Sequence, residues 1–189
     1  VVMSGKDAGE LFTKHPIMQK VTFTGSTDVG KKLIAQAAES VENVTMELGG
    51  LAPLIVHEDA DIEYAVDQTI ASKFRNAGQT CICANRVYVH KAVEKAFTEQ
   101  LTQKVHDLKV GNGMDEGVTI GPLINKDGVE KVVNQLKDAE SKGAKLSRSL
   151  EDAQELGGNF LKPVVISNAN QDMLAMQEET FGPVSYTHL

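Results

Sequence analysis

Apolar positions along this chain switch repeatedly between a period of two and a period near that of a helix. "VTFT", residues 21–24, alternates polar and apolar side chains as a short strand does, and "GSTDVGKKLIAQAAE" then reads as a glycine turn opening an amphipathic helix. "NVTMEL" and "APLIV" are two further β-rich runs, separated by Gly49 and Gly50. From Asp61 onward Ile62, Ala65, Val66, Ile70 and Phe74 recur at helical spacing, and Asp59 or Asp61 is placed to cap that helix. The helix gives way at Gly78 and "RVYVH" follows as a strand. Residues 92–108 then predict a second helix, with Val93, Phe97, Leu101, Val105 and Leu108 on one face. "VGNGMDEGVTIGPLI" reads as loop. A third helix over residues 126–142 ends at Gly143, as helices commonly do. "AKLS" and "FLKPVVIS" are strand candidates, with the polar "LEDAQELGG" between them as a surface excursion. An apolar strand starts at "FGPV", but "SYTHL" then closes the chain and reads as a truncation or a foreign tail.

Alternating strands and helices predict an α/β fold with a largely parallel sheet. A domain boundary is expected near Gly49-Gly50, although composition does not mark it. At 189 residues the chain holds one full domain, or one domain and part of another.

The acidic balance, a net charge of −7, disfavours nucleic acid or an anionic membrane surface as partner. No apolar run approaches the roughly 18 residues of a membrane span. "VVMSGKDAGE" at the start has no signal-peptide pattern. Two cysteines set one residue apart make neither a secreted disulfide framework nor a zinc site, and the five histidines are scattered, so no metal site is expected. A reducing, cytoplasmic compartment suits this usage.

Five stretches carry candidate chemistry, each with a plainer reading beside it. In "FRNAGQTCICANR" a helix ends at Gly78 and turns through Gln79 and Thr80, presenting Cys81 at a loop where a nucleophile needs access; Arg75 or Arg86 nearby would favour its thiolate. The plainer reading is a buried structural thiol. Cys83 points away from Cys81 if the segment is extended; it is either a small buried residue or a redox partner, though a bridge across one residue is strained. Glu47, at the end of a β run before two glycines, is either a general base in a cleft or a surface glutamate. "FTGSTDVG" is a glycine turn at a helix start, suited to a phosphate. It lacks both G-x-G-x-x-G and G-x-x-x-x-G-K-[ST], so an ordinary Ser/Thr cap explains it as well and a phosphate-binding kinase or synthase is disfavoured. "EETFGP" is either a ribose-and-ring contact or a charged loop.

Taken together, "FTGSTDVGK", "MELGG", "FRNAGQTCICANR", "TIGPLI" and "EETFGP" resemble, in order and spacing, the aldehyde dehydrogenase superfamily, over residues 21–184. Within it "KFRNAGQTCICANR" is most similar to succinate-semialdehyde dehydrogenases. The resemblance implies the end of a Rossmann-like cofactor domain over residues 1–48, most of an α/β catalytic domain over 49–184, and an unassigned tail over 185–189. It implies NAD(P)-dependent oxidation of an aldehyde to an acid, with succinic semialdehyde, or a relative such as glutaric semialdehyde, as substrate. Cys81 would be the nucleophile, its N–H one oxyanion donor, and Glu47 the base. Thr24, Gly25, Ser26 and Val29 would meet the pyrophosphate and adenine end of NAD or NADP, with Leu48, Glu179 and Phe181 at the nicotinamide and its ribose. Arg75 would grip the far carboxylate of the substrate, and Cys83 is a candidate oxidative partner of Cys81. The resemblance also implies a homo-oligomeric parent, dimer or tetramer.

Leu51 departs from the Lys or Asn common in the family's "LGG-x-x-P". Family segments upstream and downstream lie outside this sequence, so the chain alone is expected to be inactive and prone to aggregate through open sheet edges. A non-catalytic redox module built on Cys81 and Cys83 is the competing expectation.

Overall fold

A computed structural model describes residues 5–188 and divides into two compact units, Val1–Gly50 and Leu51–Leu189. The first begins with α1 (Gly5–Lys14), an element that two glycines in its first half conceal from a periodicity reading. It continues through β1 (Lys20–Gly25), α2 (Thr27–Ala37) and β2 (Asn43–Leu48). The strands pair in parallel with Lys20 opposite Asn43 and Gly25 opposite Leu48. Ser26 caps α2 by accepting a hydrogen bond from the Val29 N–H. Val21, Leu33 and Ala37 are buried, and Thr13 of α1 lies 3.0 Å from the Gln36 Oε1 of α2.

The second unit is a five-stranded sheet in the order β3-β4-β7-β6-β5. Its strands are β3 (Ala52–Val56), β4 (Ala84–Val89), β5 (Lys145–Leu146), β6 (Val164–Ser167) and β7 (Val184–His188). All pairs are parallel except β5 with β6 at one edge, as a mixed α/β sheet allows. Helices α3 (Ile62–Lys73) and α4 (Glu94–His106) pack on each other and on β4 and β6 respectively. Helix α5 (Lys126–Ser141) packs against β5 and against the short α6 (Leu150–Gln154) and α7 (Leu174–Gln177). Phe97, Leu101 and Val105 of α4, the face read from the sequence, are fully buried in the core.

The structure decides one choice that the sequence left open and differs from its reading in three details. Asp61, not Asp59, caps α3, accepting from the Tyr64 N–H at 3.1 Å. The buried stripe of α3 is Val66, Thr69 and Lys73, while Ile62, Ala65 and Ile70 are half-buried, so the helix is rotated from its apolar face. Finally, residues 184–188 form β7, the middle strand of the sheet, with Ser185 and Tyr186 wholly buried. The reading of 185–189 as a tail is corrected for residues 185–188. A strand paired on both sides is held by its ladder, whatever the polarity of its side chains. The excursion "LEDAQELGG" also contains a helix, α6, whose cap Ser149 accepts from the Asp152 N–H.

Candidate active site

In the second unit the site is made by the way α3 stops. Phe74 is buried beneath the helix end, and the next turn, Arg75–Gly78, reverses hand: Asn76, Ala77 and Gly78 have φ of 53°, 55° and 72°. Three successive left-handed residues are costly for side chains with a Cβ, and such strain persists only where surrounding contacts hold it. Here the contacts are visible. A Cβ on Gly78 would lie 2.1 Å from the Gly182 carbonyl oxygen, so the turn rests directly on the backbone of "EETFGP". Gln79 clamps a third segment: its amide accepts from the Ile124 N–H at 2.9 Å and reaches the Pro122 carbonyl at 3.4 Å. Three motifs far apart in sequence, "NAGQTC", "TIGPLI" and "EETFGP", are thereby joined.

The turn delivers the two thiols to opposite environments. Cys81 is exposed, and neither its thiol nor its N–H has a hydrogen-bond partner among the described residues. Cys83 is 1% exposed, with its N–H donating to the Thr80 carbonyl. The two are not bridged. Opposite facing was expected from strand alternation, but the segment is a turn until β4 begins at Ala84, whose N–H donates to Ser72 Oγ. Ile82 between them is 71% exposed.

Arg75 is exposed and forms no salt bridge among the described residues. Arg86, read alongside it as a thiolate-favouring cation, is committed elsewhere: its Nε and Nη2 donate to the Leu51 carbonyl at 2.9 and 2.5 Å. Glu179 is half-buried, and Phe181 is 38% exposed with a left-handed φ of 51°. Lys73, at the end of α3, is fully buried, its Nζ 2.6 Å from Asn85 Oδ1, and burial pushes its pKa below the usual 10.5.

The first unit gathers its candidates at one end of the parallel pair. Thr24 stands opposite Glu47, and Gly25 opposite Leu48, at the carboxyl ends of both strands, where α/β sheets place their ligands. Thr24, Gly25, Ser26 and Glu47 are exposed, and Val29 is 41% exposed. Leu48 lies over α2, with its Cδ2 2.6 Å from where a Cβ on Gly30 would stand. Glu47 is thus an exposed carboxylate rather than one buried in its unit. The exposed first turn of α2, with a glycine before its cap, fits an anion such as a dinucleotide pyrophosphate.

A family model described as "Aldehyde dehydrogenase family" matches residues 1–187. The chain belongs to the aldehyde dehydrogenase family. Among its relatives, the 3-sulfolactaldehyde dehydrogenase of Pseudomonas putida is 47% identical over 98% of the chain and 38% of that protein. The "Succinate-semialdehyde dehydrogenase [NADP(+)] 2" of Schizosaccharomyces pombe is 47% identical over 97% of the chain and 38% of that protein. The crystal structure of a succinate-semialdehyde dehydrogenase from Burkholderia pseudomallei superposes with a TM-score of 0.95 at 46% identity, covering 100% of this chain and 39% of that one. A betaine aldehyde dehydrogenase of Staphylococcus aureus, solved in complex with NAD+, superposes at 0.89 with 33% identity, over 100% and 38%. This aldehyde dehydrogenase chain therefore spans about two-fifths of the length of the proteins it matches.

Reading the sequence missed Gln79, Lys73 and Asn85 as parts of the support around the Cys81 loop. Gln79 sat inside a quoted motif but read as mere turn. Lys73 carried one signal, its place at the spacing of Val66 and Thr69, and a charge at the end of a helix is ordinarily solvated.

Proposed function

We propose that the protein carrying this chain oxidises an aldehyde bearing a remote anionic group to the corresponding acid, with Cys81 as nucleophile. The observation that carries the reading is the left-handed turn that leaves Cys81 exposed at a loop while Cys83 is buried, in a chain that matches the family along nearly its whole length. The Cys81 sulfur adds to the carbonyl carbon, and its free N–H stands ready as one donor to the oxygen on which charge develops. NAD or NADP, when bound, would supply the acceptor for the hydride that the thiohemiacetal on Cys81 loses. That leaves a thioester on Cys81. Glu47 takes a proton from water, the hydroxyl adds to the thioester carbonyl, the carbon–sulfur bond breaks, and the thiol is restored as the acid departs.

In this reading residues 1–48 are the last part of the cofactor domain, with Thr24, Gly25, Ser26, Val29 and Leu48 along the dinucleotide, and 49–184 are the thiol-bearing domain, with Glu179 and Phe181 at the ribose and ring. Both cofactors have support from relatives, one named for NADP(+) and one solved with NAD+. Arg75, exposed and unpaired, is a bidentate donor for the far end of the substrate. The relatives' names fit a carboxylate, in succinic semialdehyde, and a sulfonate, in 3-sulfolactaldehyde. Succinic semialdehyde is the preferred assignment and glutaric semialdehyde the near alternative. The sulfonate is a second reading that the first relative favours. The full-length protein is expected to be a cytoplasmic dimer or tetramer.

Intact-mass measurement on full-length protein carrying Glu47→Gln, given succinic semialdehyde and oxidised cofactor, tests the mechanism. An acyl adduct accumulating on Cys81 is expected. An adduct on another side chain, or none alongside normal turnover, would overturn it.

A further inference from the structure

The buried thiol has a partner that is not the other cysteine. Cys83 Sγ lies 3.5 Å from Lys73 Nζ, and both side chains are closed to solvent, at 1% and 0% exposure. Asn85 Oδ1 holds the amine from the other side, 2.6 Å from Nζ and 3.7 Å from the sulfur, and the Gly78 carbonyl stands 3.6 Å from the sulfur. Cys81, by contrast, faces outward. An amine and a thiol in van der Waals contact, on a flexible lysine stem and shielded from water, are positioned for a reaction with each other once the sulfur becomes electrophilic.

We propose that Lys73 and Cys83 form a reversible oxidative cross-link, a sulfenamide between Nζ and Sγ, when the protein meets hydrogen peroxide. In the first step one peroxide oxidises the Cys83 thiol to a sulfenic acid and leaves as water. In the second the lone pair of Nζ attacks the sulfur, a sulfur–nitrogen bond forms, the sulfur–oxygen bond breaks, and the hydroxide leaves with a proton from the amine as a second water. The attack needs a neutral amine, and burial lowers the pKa of Lys73 despite the opposing influence of Cys83 and of Glu179. The dry site favours condensation, which expels water. A dithiol reverses it, its two electrons and two protons restoring thiol and amine.

The left-handed Asn76–Gly78 turn, whose Gly78 carbonyl stands 3.6 Å from the sulfur, is the strained segment whose opening would admit peroxide. Closing the link ties the last residue of α3 to the residue just before β4, and so tethers both ends of the segment that carries the exposed thiol. The proposal rests on Lys73 and Cys83 alone and holds whether or not Cys81 turns over an aldehyde.

The test uses the full-length protein with Cys81→Ser, which removes the rival thiol of the loop. It is treated with hydrogen peroxide, denatured, alkylated with iodoacetamide and digested with trypsin. A protein about 2 Da lighter is expected. Its residue 76–86 peptide should be joined to a peptide that ends at Arg75 with Lys73 uncut, and dithiothreitol should separate the two. Should the variant fail to fold, the wild-type chain serves, because a Cys81–Cys83 disulfide would leave Lys73 cleaved normally. In Lys73→Arg the joined peptide is expected to vanish and Cys83 to go on to sulfinic acid or remain alkylatable. Complete alkylation of Cys83 after peroxide, or its recovery as sulfinic or sulfonic acid with Lys73 cleaved normally in the wild-type chain, would overturn the proposal.

Discussion

Arg75 shows how much one side chain is asked to decide. It leaves the left-handed turn exposed, and no acid among the described residues pairs with it, so its guanidinium is available to an anion from outside. A charge-assisted hydrogen-bonded contact is worth about 1.5–3 kcal/mol, so in the full-length protein Arg75→Ala should raise KM for succinic semialdehyde roughly 10- to 100-fold. KM for propanal should stay within about twofold, since that aldehyde has no remote charge to lose. Steady-state kinetics on the two aldehydes checks the difference, and an equal rise for both would remove the anion assignment. The same measurement on a sulfonated aldehyde separates carboxylate from sulfonate preference. At this scale the sequence was informative where a residue's task is local: Asp61 as a cap and Cys81 in a turn were both legible. It was silent on Lys73 and placed Arg86 beside the thiolate, because their partners Asn85 and Leu51 come from other elements.

Among the elements, the Arg75–Gly78 turn is the one most at risk from substitution. Gly78 and Gly143 both have positive φ, yet a Cβ on Gly78 would strike the Gly182 carbonyl whereas one on Gly143 would meet nothing within 4 Å. The pair separates backbone strain from steric collision. Gly143→Ala should lower unfolding stability by about 1 kcal/mol, the cost of left-handed backbone alone, and Gly78→Ala by clearly more than about 2 kcal/mol. Urea denaturation of both variants checks this; equal losses would mean that the approach of Gly78 to Gly182 carries no weight.

The α6 region offers a pH test. Lys162 and Arg148 both reach Asp152, at 2.7 and 3.0 Å, and Lys162 also pairs with Glu155. The hydrogen bond from Lys162 chiefly holds the Asp152 carboxyl below its ordinary 3.8 against the opposing effect of burial, and the hydrogen bond from Arg148 adds to it. A carboxyl with a lowered folded value contributes stability that is fully present above 3.8 and lost as pH falls through the folded value. Asp152→Asn should therefore reduce stability modestly at neutral pH and flatten the acid loss below that value, as read from urea midpoints between neutral and acid pH. The contribution is small because the pair is partly solvated.

For the whole molecule the decisive feature is the place of β7 at the middle of the sheet, between β4 and β6. Ser185 and Thr187 are both buried there; Thr187 finds the Ile166 carbonyl at 3.3 Å, whereas Ser185 Oγ has no partner among the described residues. Leaving a buried hydroxyl unpaired costs about 1–3 kcal/mol, so Ser185→Ala should raise stability by about 1 kcal/mol once the lost packing is counted. Thermal denaturation checks it, and a loss of stability would show that the hydroxyl has a role in the strand. Thr187→Val should be neutral or destabilising, because it removes a bond that is made.

What the sequence determined by itself is whatever depends on a short window: the alternation of strand and helix that implies a parallel α/β sheet, the caps, the helix faces of α4, and the motif set that marks the aldehyde dehydrogenase family. The first three follow from propensity and periodicity, which act between residues a few positions apart, and the last is a resemblance carried by short motifs. Strand order, the burial of Lys73 against Cys83, the corrected fate of residues 185–188, and the seating of Gly78 on Gly182 were decided only by the tertiary structure. Each is a contact between segments distant in the chain, and its energy comes from packing and desolvation at a meeting point that no local pattern encodes.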